Sequence, residues 1–453
     1  VNRLANPLPS VCGRVCHHPC EIFCRAAESD EPISIRALKR FVADWARSNG
    51  QKKTIRPVEK KYEKVAIVGS GPAGLMAGWV LAKKGYDVTI FEAEDIPGGM
   101  LAWAIPDYRL PKDVLQVEID DIKALGVNIK TGIRIGKDLS LEDLQKQGFK
   151  AIFIATGASK PTRLNIPGED LPGVIDPIQF LKSVNLKKRA EIGQKVVVVG
   201  GGNTAIDAAR TAWRLGAQVT ILYRRTKNEM PAIRDEIEEA LAEGIRMEFL
   251  AAPVAAIPVN GRLGKIRAQR MTLMGFDSSG RPRPVPIPGS EFEIEADTLI
   301  PAIGQEPDLT VIEGFKGLSL NRDKTFQVDP ETKATGIPGI FAGGDAVSGP
   351  ATVLEAMRDG QIAAESIHRY LRGMSLAREY KPTEPLYEVP PVELPPEEFL
   401  ELSRPAMPKL SINERRGNFK EVERGFTAEM AVREARRCLR CDLETIRLKR
   451  SKS

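Results

Sequence analysis

Lys64-Val-Ala-Ile-Val-Gly69-Ser-Gly71-Pro72-Ala73-Gly74, running on to Val88-Thr-Ile-Phe91-Glu92, is the stretch on which the reading of this chain turns. Val65 to Val68, led in by Lys64, has the character of a buried strand and enters a Gly-x-Gly-x-x-Gly turn. Gly69 permits the tight turn, Gly71 lets backbone approach a pyrophosphate, and Gly74 lets helix and strand pack closely. The spacing predicts a helix over 75–84, whose N-terminus offers free N–H groups and positive dipole to phosphate. A second strand, Val88 to Phe91, closes on Glu92, placed to accept from a ribose 2′-hydroxyl. A glycine-rich turn alone is common in α/β proteins; strand, glycines, helix, strand and acid in this order specify a dinucleotide site.

Residues 194–225 repeat that grammar. A strand, Val196 to Val199, enters Gly200-Gly201-Gly202-Asn203-Thr204-Ala205, and a helix is expected to about Leu215. The next strand, Gln218 to Tyr223, ends in Arg224-Arg225 where the first unit has an acid. Arginine there accommodates a 2′-phosphate, so the second site favours NADP(H) over NAD(H). The competing reading is that both arginines are a solvated strand end.

Further small-residue turns follow strands, where open α/β sheets bind ligands. They are Ala155-Thr156-Gly157 after Lys150 to Ala155, Pro97-Gly98-Gly99-Met100 after Glu92, and Pro301-Ala-Ile-Gly304-Gln305. Gly339 to Ala346 reads as strand, glycine turn and acid (Gly344, Asp345), with Thr352 opening a helix to about His368 whose N-terminus is aimed at the cofactor. His368 itself reads as a surface residue at that helix's end. Between these, Ile105 to Pro111, carrying Arg109, precedes a helix with Leu115, Ile119 and Ile122 on one face. A helical stretch, Glu236 to Glu243, and a β-rich segment to about Ile300 follow the second unit.

The six cysteines sit only at the two ends: Cys12, Cys16, Cys20 and Cys24 at one, Cys438 and Cys441 at the other. Clustered cysteines in a cytoplasmic chain bind metal rather than form disulfides. Thiolates this dense suit iron–sulfur chemistry, with zinc as the rival, although paired CxxC knuckles are lacking at the head. His17 and His18, before Pro19, read as exposed loop residues rather than ligands. Ile35, Leu38, Val42 and Trp45 stand at helical spacing and are expected to pack the cysteine module onto the rest. Residues 49–61 read as a linker and 373–425, rich in Pro and Glu, as an extended excursion. A helix over 427–440 then delivers Cys438 and Cys441, which makes sense if the tail folds back on the head.

With 453 residues, 42% of them hydrophobic and 28% charged, the chain divides into several domains. No apolar run approaches the ~18 residues of a membrane span, and the N-terminus, which opens on Val1 through processing or for want of an upstream segment, has no signal-peptide core. The net charge of +6 is modest, and the basic end, Arg447 to Lys452, is read as a solvated tail with no role in nucleic-acid binding.

Together these pieces resemble the small, NADPH-oxidising subunit of glutamate synthase and the related N-terminal half of dihydropyrimidine dehydrogenase. The likeness covers nearly the whole chain. It rests on Asn6-Pro7-Leu8-Pro9 before the cysteine run, Gly69 to Gly74, Ile105 to Pro111, Ala155-Thr156-Gly157 and Gly200 to Ala205. It continues in Tyr223-Arg224-Arg225-Thr226, in Glu229-Met230-Pro231-Ala232 and in Ala342-Gly343-Gly344-Asp345. The resemblance implies two Rossmann-like (three-layer ββα) α/β domains of the glutathione-reductase-like type plus an N-terminal helical iron–sulfur module.

The expected division is 1–60 for that module, 61–162 and 301–372 for the two parts of an FAD domain, 163–300 for an NAD(P)H domain, and 373–453 for a tail returning to the module. FAD is expected at Gly69, Gly71, Pro72, Ala73, Gly74, Glu92, Gly99, Arg109, Ala155, Thr156, Gly157, Gly304, Gly344, Asp345 and Thr352. NADPH is expected at Gly200, Gly202, Asn203, Thr204, Ala205, Arg224 and Arg225, and a [4Fe–4S] cluster among the six cysteines.

Two departures qualify the likeness. The family's CLxC-type element stands upstream of the Asn-Pro-Leu segment, whereas its counterpart here, Cys438-Leu-Arg-Cys441, is at the C-terminus. Six cysteines also cannot supply eight ligands, so the expectation is one cluster drawing on both ends, a second needing a non-cysteine ligand or residues outside this chain. The implied activity is hydride transfer between NADPH and flavin, and single electrons to or from a partner subunit or ferredoxin within a hetero-oligomer. No side chain need act as a nucleophile. The absence of cysteine between 25 and 437 fits this, because thioredoxin-reductase and lipoamide-dehydrogenase designs need a dithiol beside the flavin. A structural subunit with relic nucleotide sites is the rival; the intact glycines and Glu92 argue against it. No substrate domain is present, so the terminal acceptor belongs to a partner.

Overall fold

The computed structural model describes residues 5–28, 30–50, 59–187, 190–277, 280–377 and 403–441. Arg447 to Lys452, most of the linker, and residues 378–402 of the Pro- and Glu-rich segment lie outside them.

At the head, α1 (Pro9–Val15) and α2 (Ile35–Ser48) pack face to face. The chain then lays down β1 (Lys64–Val68), α3 (Pro72–Lys83), β2 (Asp87–Phe91), α4 (Lys112–Ala124), β3 (Asn128–Lys130) and β4 (Phe149–Ile154). The second unit contributes β5 (Lys195–Val199), α5 (Asn203–Arg214), β6 (Gln218–Tyr223), α6 (Arg234–Ala242) and β7 (Arg246–Phe249). Three long strands, β8 (Ala251–Val259), β9 (Arg262–Phe276) and β10 (Pro282–Glu295), lead to β11 (Thr298–Pro301). Then come β12 (Ile340–Ala342), α7 (Val353–Leu371) and, in the tail, α8 (Ala428–Arg436).

Two parallel sheets result. The first has the order β12-β4-β1-β2-β3, so a strand nearly two hundred residues downstream completes the sheet begun by the first unit. The second has the order β11-β5-β6-β7, and an antiparallel β10-β9-β8 layer accompanies it. Strands β1, β2 and β5 are buried after their first residue, and β6 is too except at half-buried Thr220, as strands covered on both faces must be. The two crossings between sheets pair with each other, Gln305 with Pro161 and Glu306 with Lys160. The α/β architecture with two Rossmann-like units and a helical head is thus present.

The head is attached by charge at helix ends. Helix α1 begins without a side-chain cap of its own, and the buried Glu118 on α4 accepts from the backbone N–H of Ser10 (2.6 Å) and Val11 (3.1 Å). Helix α2 begins the same way: buried Glu434 on α8 accepts from the Ser34 N–H (2.6 Å) and Glu21 from that of Arg36 (2.9 Å). A carboxylate at a helix N-terminus meets both the orphan donors and the positive end of the dipole. The tail therefore does fold back on the head.

Only part of the stripe expected to bury α2 does so, Leu38 packing beside Ala37 against Phe426 and Ala431. Val42 and Trp45 are 52% and 48% exposed, while Ala37, Arg40 and Ala43 face inward. Arg40 goes inside because Glu421 (2.8 Å) and Asp44 (3.4 Å) neutralise it, a partnership hydrophobic periodicity cannot register. The segment after residue 402 is likewise no loose excursion. It runs across both units, with the Val422 N–H donating to the Tyr108 carbonyl (2.9 Å) and the Gly417 N–H to that of Arg214 (3.1 Å).

Beneath this strap lies a buried joint between the two units. Arg109, from the first, puts Nη1 2.8 and 2.7 Å from the two carboxylate oxygens of Asp207 on α5 and Nε 3.2 Å from Glu236 on α6. Arg210 pairs with Glu236 and Glu243, Arg214 with Glu243 (2.9 Å), and Arg415 of the strap with Glu239 and Glu243. The ring of Tyr108 lies against the guanidinium of Arg214, 3.8 Å from the ring centre. Burial would raise the Glu243 carboxyl, but hydrogen bonds from Arg210 and Arg214 outweigh it and hold it down to about 2. Replacing Arg109 by Met leaves Asp207 and Glu236 facing each other in a buried site. We expect a loss of about 3–5 kcal/mol, read as a lower urea midpoint at neutral pH, whereas an unchanged midpoint would show the joint to be dispensable.

Candidate functional site

A cavity of about 500 Å³ opens where the strands of the first sheet end. Val68, Phe91, Ala155 and Gly343 close the ends of β1, β2, β4 and β12 around it, the position at which parallel α/β sheets take ligands. Gly69, Gly71, Pro72, Ala73, Glu92, Gly99, Ala155, Thr156, Gly157, Gly344, Asp345 and Thr352 all line it. Asn203 and Thr204, opening α5, line it from the second unit, and Val15 and His17 from the head. The half-buried His17 is therefore not the exposed loop residue the sequence suggested.

The turn at 69–74 is shaped by contact as well as by conformation. A Cβ on Gly74 would sit 2.0 Å from the Gly69 carbonyl oxygen, and Gly69, at φ +105°, has the Ala155 carbonyl against it. Any side chain at either place would push the helix off the strand. Helices α3 and α5 both start on a glycine, Gly71 and Gly202, with no side-chain cap, and a Cβ on either would meet open space. Two uncapped helix N-termini beside open volume are donor sets for phosphate. The buried Thr156 Oγ1, on the cavity wall, has no partner among the described residues. These features fit a dinucleotide.

Glu92 does more than await a ribose. One carboxylate oxygen accepts from the Ser70 N–H (2.9 Å) and hydroxyl (2.5 Å), the other from the Glu94 N–H (2.9 Å), while Ser70 Oγ accepts from the Gly98 N–H (2.9 Å). Ser70, a variable position of the motif, thus braces both glycine turns. The start of α7, by contrast, is closed by its own capping box, with Thr352 Oγ1 accepting from the Glu355 N–H (3.2 Å) and the Glu355 carboxylate from the Thr352 N–H (3.0 Å). That end is less open to an anion than the sequence implied, because a carboxylate already occupies it. Burial raises the Asp345 carboxyl to about 6, against a single opposing hydrogen bond from the Ala351 N–H at 3.3 Å.

Two expected cofactor residues, Gly304 and Arg225, are placed away from the cavity. Arg109 lines the cavity, and its charge is also committed to Asp207 and Glu236, so it joins the units as well. Its loop is fixed by the half-buried Lys112, brought down to about 8 by desolvation, whose Nζ donates to the carbonyls of Ile105 (2.5 Å) and Leu110 (3.2 Å). Gly304 does not line the cavity; its carbonyl accepts from the Thr162 N–H (3.0 Å) in the paired crossing. Arg225 is neither solvated nor free. It is 2% exposed, with Nη2 2.5 Å from Asp277 and Nε donating to the Pro282 carbonyl (2.7 Å). Arg224 is exposed and has no carboxylate partner among the described residues. Gly74, Gly200, Gly202 and Ala205 also stand outside the cavity wall, shaping turns rather than facing it. Sequence reasoning missed the Lys182–Glu94 pair (2.5 Å) on the wall, which joins the units and carries no motif.

Of the cysteines, Cys12 and Cys16 are buried, Cys24 and Cys441 half-buried, and Cys20 and Cys438 exposed. Cys16 is within electrostatic reach of both Cys12 and Cys20, and Cys12 Sγ lies 3.7 Å from Met357 Sδ on α7. Burial pushes the Cys12 thiol up to about 11. Among the described residues no three or more His, Cys, Asp or Glu side chains are gathered as a set able to hold a metal ion. Head and tail thus present no assembled ligand set among those residues, since a metal's charge is what draws thiolates in. Nor is there a ready tetrahedral zinc set among those residues. Thiols at Cys12, Cys16 and Cys20, with Cys16 within electrostatic reach of the other two, are donors of the type that iron–sulfur chemistry uses.

A family model described as pyridine nucleotide-disulphide oxidoreductase matches residues 63–360, and one described as dihydropyrimidine dehydrogenase domain II, 4Fe-4S cluster, matches residues 1–51. The beta subunit of NADP(+)-dependent formate dehydrogenase from Moorella thermoacetica is 42% identical over 468 residues, an alignment covering 97% of this chain and 66% of that subunit. The chain thus spans about two thirds of that relative's length. The glutamate synthase [NADPH] small chain of Azospirillum brasilense is 34% identical over 394 residues, covering 83% of this chain and 81% of that one. Among solved structures, FprA of Mycobacterium tuberculosis in complex with NADPH shares the fold, with a TM-score of 0.59 at 19% identity over 69% of this chain and 85% of FprA. The thiol-free middle of the sequence holds no dithiol of the kind the first family's description mentions. The chain belongs to the pyridine nucleotide-disulphide oxidoreductase family, in the branch that contains the glutamate synthase small chain, with a 4Fe-4S domain at its head.

Proposed function

We propose that this chain is the NADPH-oxidising flavin unit of a larger redox assembly in the cytoplasm, exchanging electrons with a partner subunit or a ferredoxin. One observation carries the reading: a single cavity is walled by the first phosphate-binding turn, by the opening of α5 in the second unit, and by Val15 and His17 of the cysteine module. A nicotinamide from one side, a flavin from the other and a cluster behind the third wall would meet there. Bound FAD supplies two-electron acceptance from a nicotinamide and one-electron exchange with a cluster. The protein's own part is positional. The N–H groups at the starts of α3 and α5 take the two pyrophosphates, Glu92 and Asp345 take hydroxyls, and the charged joint fixes one unit against the other. Cys12, Cys16, Cys20 and Cys24, with Cys438 and Cys441 brought to the same module by α8, are the candidate ligands. The names of the relatives, subunits of a formate dehydrogenase and of a glutamate synthase, support a hetero-oligomer.

Anaerobic protein purified with flavin and iron should bleach in its flavin absorbance on addition of NADPH and turn over with an artificial electron acceptor. Intact flavin that no nicotinamide reduces would leave the nucleotide sites as relics and overturn the reading.

The two arginines separate by role. Arg224→Ala should raise KM for NADPH roughly 10- to 100-fold with kcat and the NADH reaction little changed, the loss of about 1.5–3 kcal/mol of charge-assisted contact to a 2′-phosphate. Equal effects on NADPH and NADH would remove Arg224 from that role.

Asp345 gives a pH signature. Its flavin-free carboxyl is raised to about 6 by burial, and only the ionised form is a pure acceptor for the flavin's ribityl hydroxyls. Binding therefore releases a proton below that pH. FAD affinity of the flavin-free protein should rise as pH approaches about 6 and level off above it, and Asp345→Asn should flatten the profile. Titration calorimetry showing the same slope in both proteins would exclude Asp345 as its source.

A further inference from the structure

We infer that Asp359 and Lys333 form a buried positioning pair for the flavin site, in which Asp359 holds the glycine turn at 343–345 against the start of α3 and Lys333 neutralises its charge. The inference rests on the reading of the cavity as a flavin site, and it assigns work to two residues that do not line that cavity. Asp359, on α7, is 3% exposed and Lys333 7%. One carboxylate oxygen of Asp359 accepts from the Gly344 N–H (3.1 Å), and the Lys333 Nζ lies 2.9 Å from the other. Arg358, 3.8 Å from that second oxygen, keeps most of its side chain in water.

Three consecutive N–H groups lead out of β12, and each has an acceptor. That of Ala342 donates to the Lys333 carbonyl (3.0 Å), that of Gly343 to the Ile154 carbonyl at the end of β4 (3.1 Å), and that of Gly344 to Asp359. The first two are backbone pairings. The third depends on a side chain, because Gly344 turns into the left-handed region at φ +66° and leaves the sheet. A close helix crossing supplies the fixed point for this bond. A Cβ on Gly360, next to Asp359, would lie 2.1 Å from the Ala73 carbonyl oxygen, and one on Gly344 would lie 3.1 Å from the Ala73 Cβ. Helix α7 therefore meets the first turn of α3 backbone to backbone, and Asp359 ties the 343–345 turn to that crossing. Two cavity-lining turns far apart in the sequence become one cradle there.

An ion pair buried at this depth adds little stability over apolar packing of the same volume. What the carboxylate adds is an acceptor for one N–H of the turn, and with it a fixed direction for the next residue, Asp345, which lines the cavity. Lys333 completes the device. A bare carboxylate in its place would be costly to bury and would stand close to Asp345, whose carboxyl burial raises to about 6, with Glu355 and Asp359 adding to the rise.

The test compares two double variants of the flavin-free full chain with wild type. Lys333→Met with Asp359→Asn removes both charges and keeps an oxygen to accept from Gly344, whereas Lys333→Met with Asp359→Leu removes the acceptor as well. FAD affinity, by fluorescence titration, should stay within about threefold of wild type in the first and fall roughly 10- to 100-fold in the second. NADP+ affinity and the urea midpoint should stay near wild type in both. Equal FAD affinity in the two variants, at the wild-type level or below it, overturns the inference, because the bond to Gly344 then carries nothing. A fall in NADP+ affinity as large as that in FAD affinity assigns the pair to general stability and also overturns it. If the leucine variant does not fold, hydrogen exchange at the Gly344 amide decides. Protection in both wild type and the asparagine variant, with FAD bound at near wild-type strength, supports the inference, and any other result overturns it. Wild type that takes up no FAD overturns the reading of the cavity, and the inference with it.

Discussion

The arrangement of this molecule depends on a buried exchange of charge between its two nucleotide units. Arg109, Arg210, Arg214 and Arg415 face Asp207, Glu236, Glu239 and Glu243 in a set that is balanced in charge and contributed by three separate parts of the chain. Placing so many ions out of water is costly, and each survives there only because a partner of opposite sign sits within hydrogen-bonding range. A set of this kind adds little net stability over apolar packing. What it contributes is register, since a guanidinium between two carboxylates has few acceptable positions while an apolar surface has many. Register is what a reaction between a nicotinamide on one unit and a flavin on the other requires.

The same strategy attaches the head. Glu118 and Glu434 reach from distant segments to the bare N-termini of α1 and α2, adding carboxylates at helix dipoles to the packing of Leu8, Val11 and Val15 into the core of the first unit. The attachment points are not arbitrary. Glu118 lies on α4 of the flavin unit, and the helix it caps leads straight to Val15 and His17 in the cavity wall. Cys12 on that helix abuts Met357 on α7, whose own start borders the same cavity. The tail then closes over joint and head together, through Arg415 at the first and Glu421, Glu423 and Glu434 at the second. One strap therefore fixes both distances along which electrons would travel.

Much of this was legible in the residues. The turn at 69–74, its counterpart at 200–205, the small-residue strand ends and the cysteine grouping are local patterns, and short-range sterics make them fold as they read. Most of the misread positions involve a charged side chain. Arg109 and Arg225 looked like ligand-binding cations, and the structure commits both to carboxylates from elsewhere in the sequence. Val42 and Trp45 looked like a core stripe, and Arg40 is buried in their place. A charged side chain has no intrinsic side of the surface to occupy. Its place depends on whether a counter-ion arrives, and these counter-ions come from up to hundreds of residues away.

The sequence by itself determined the two α/β units, the order of their phosphate-binding turns and the presence of a thiol-rich head, because strand periodicity and glycine spacing act over a few residues. Only the tertiary structure decided which arginine is paired and buried, which glycines face the cavity, and that the head reaches into it. Those outcomes follow from long-range pairing of charges, and the energy of such a pair depends on distance in space rather than on separation along the chain.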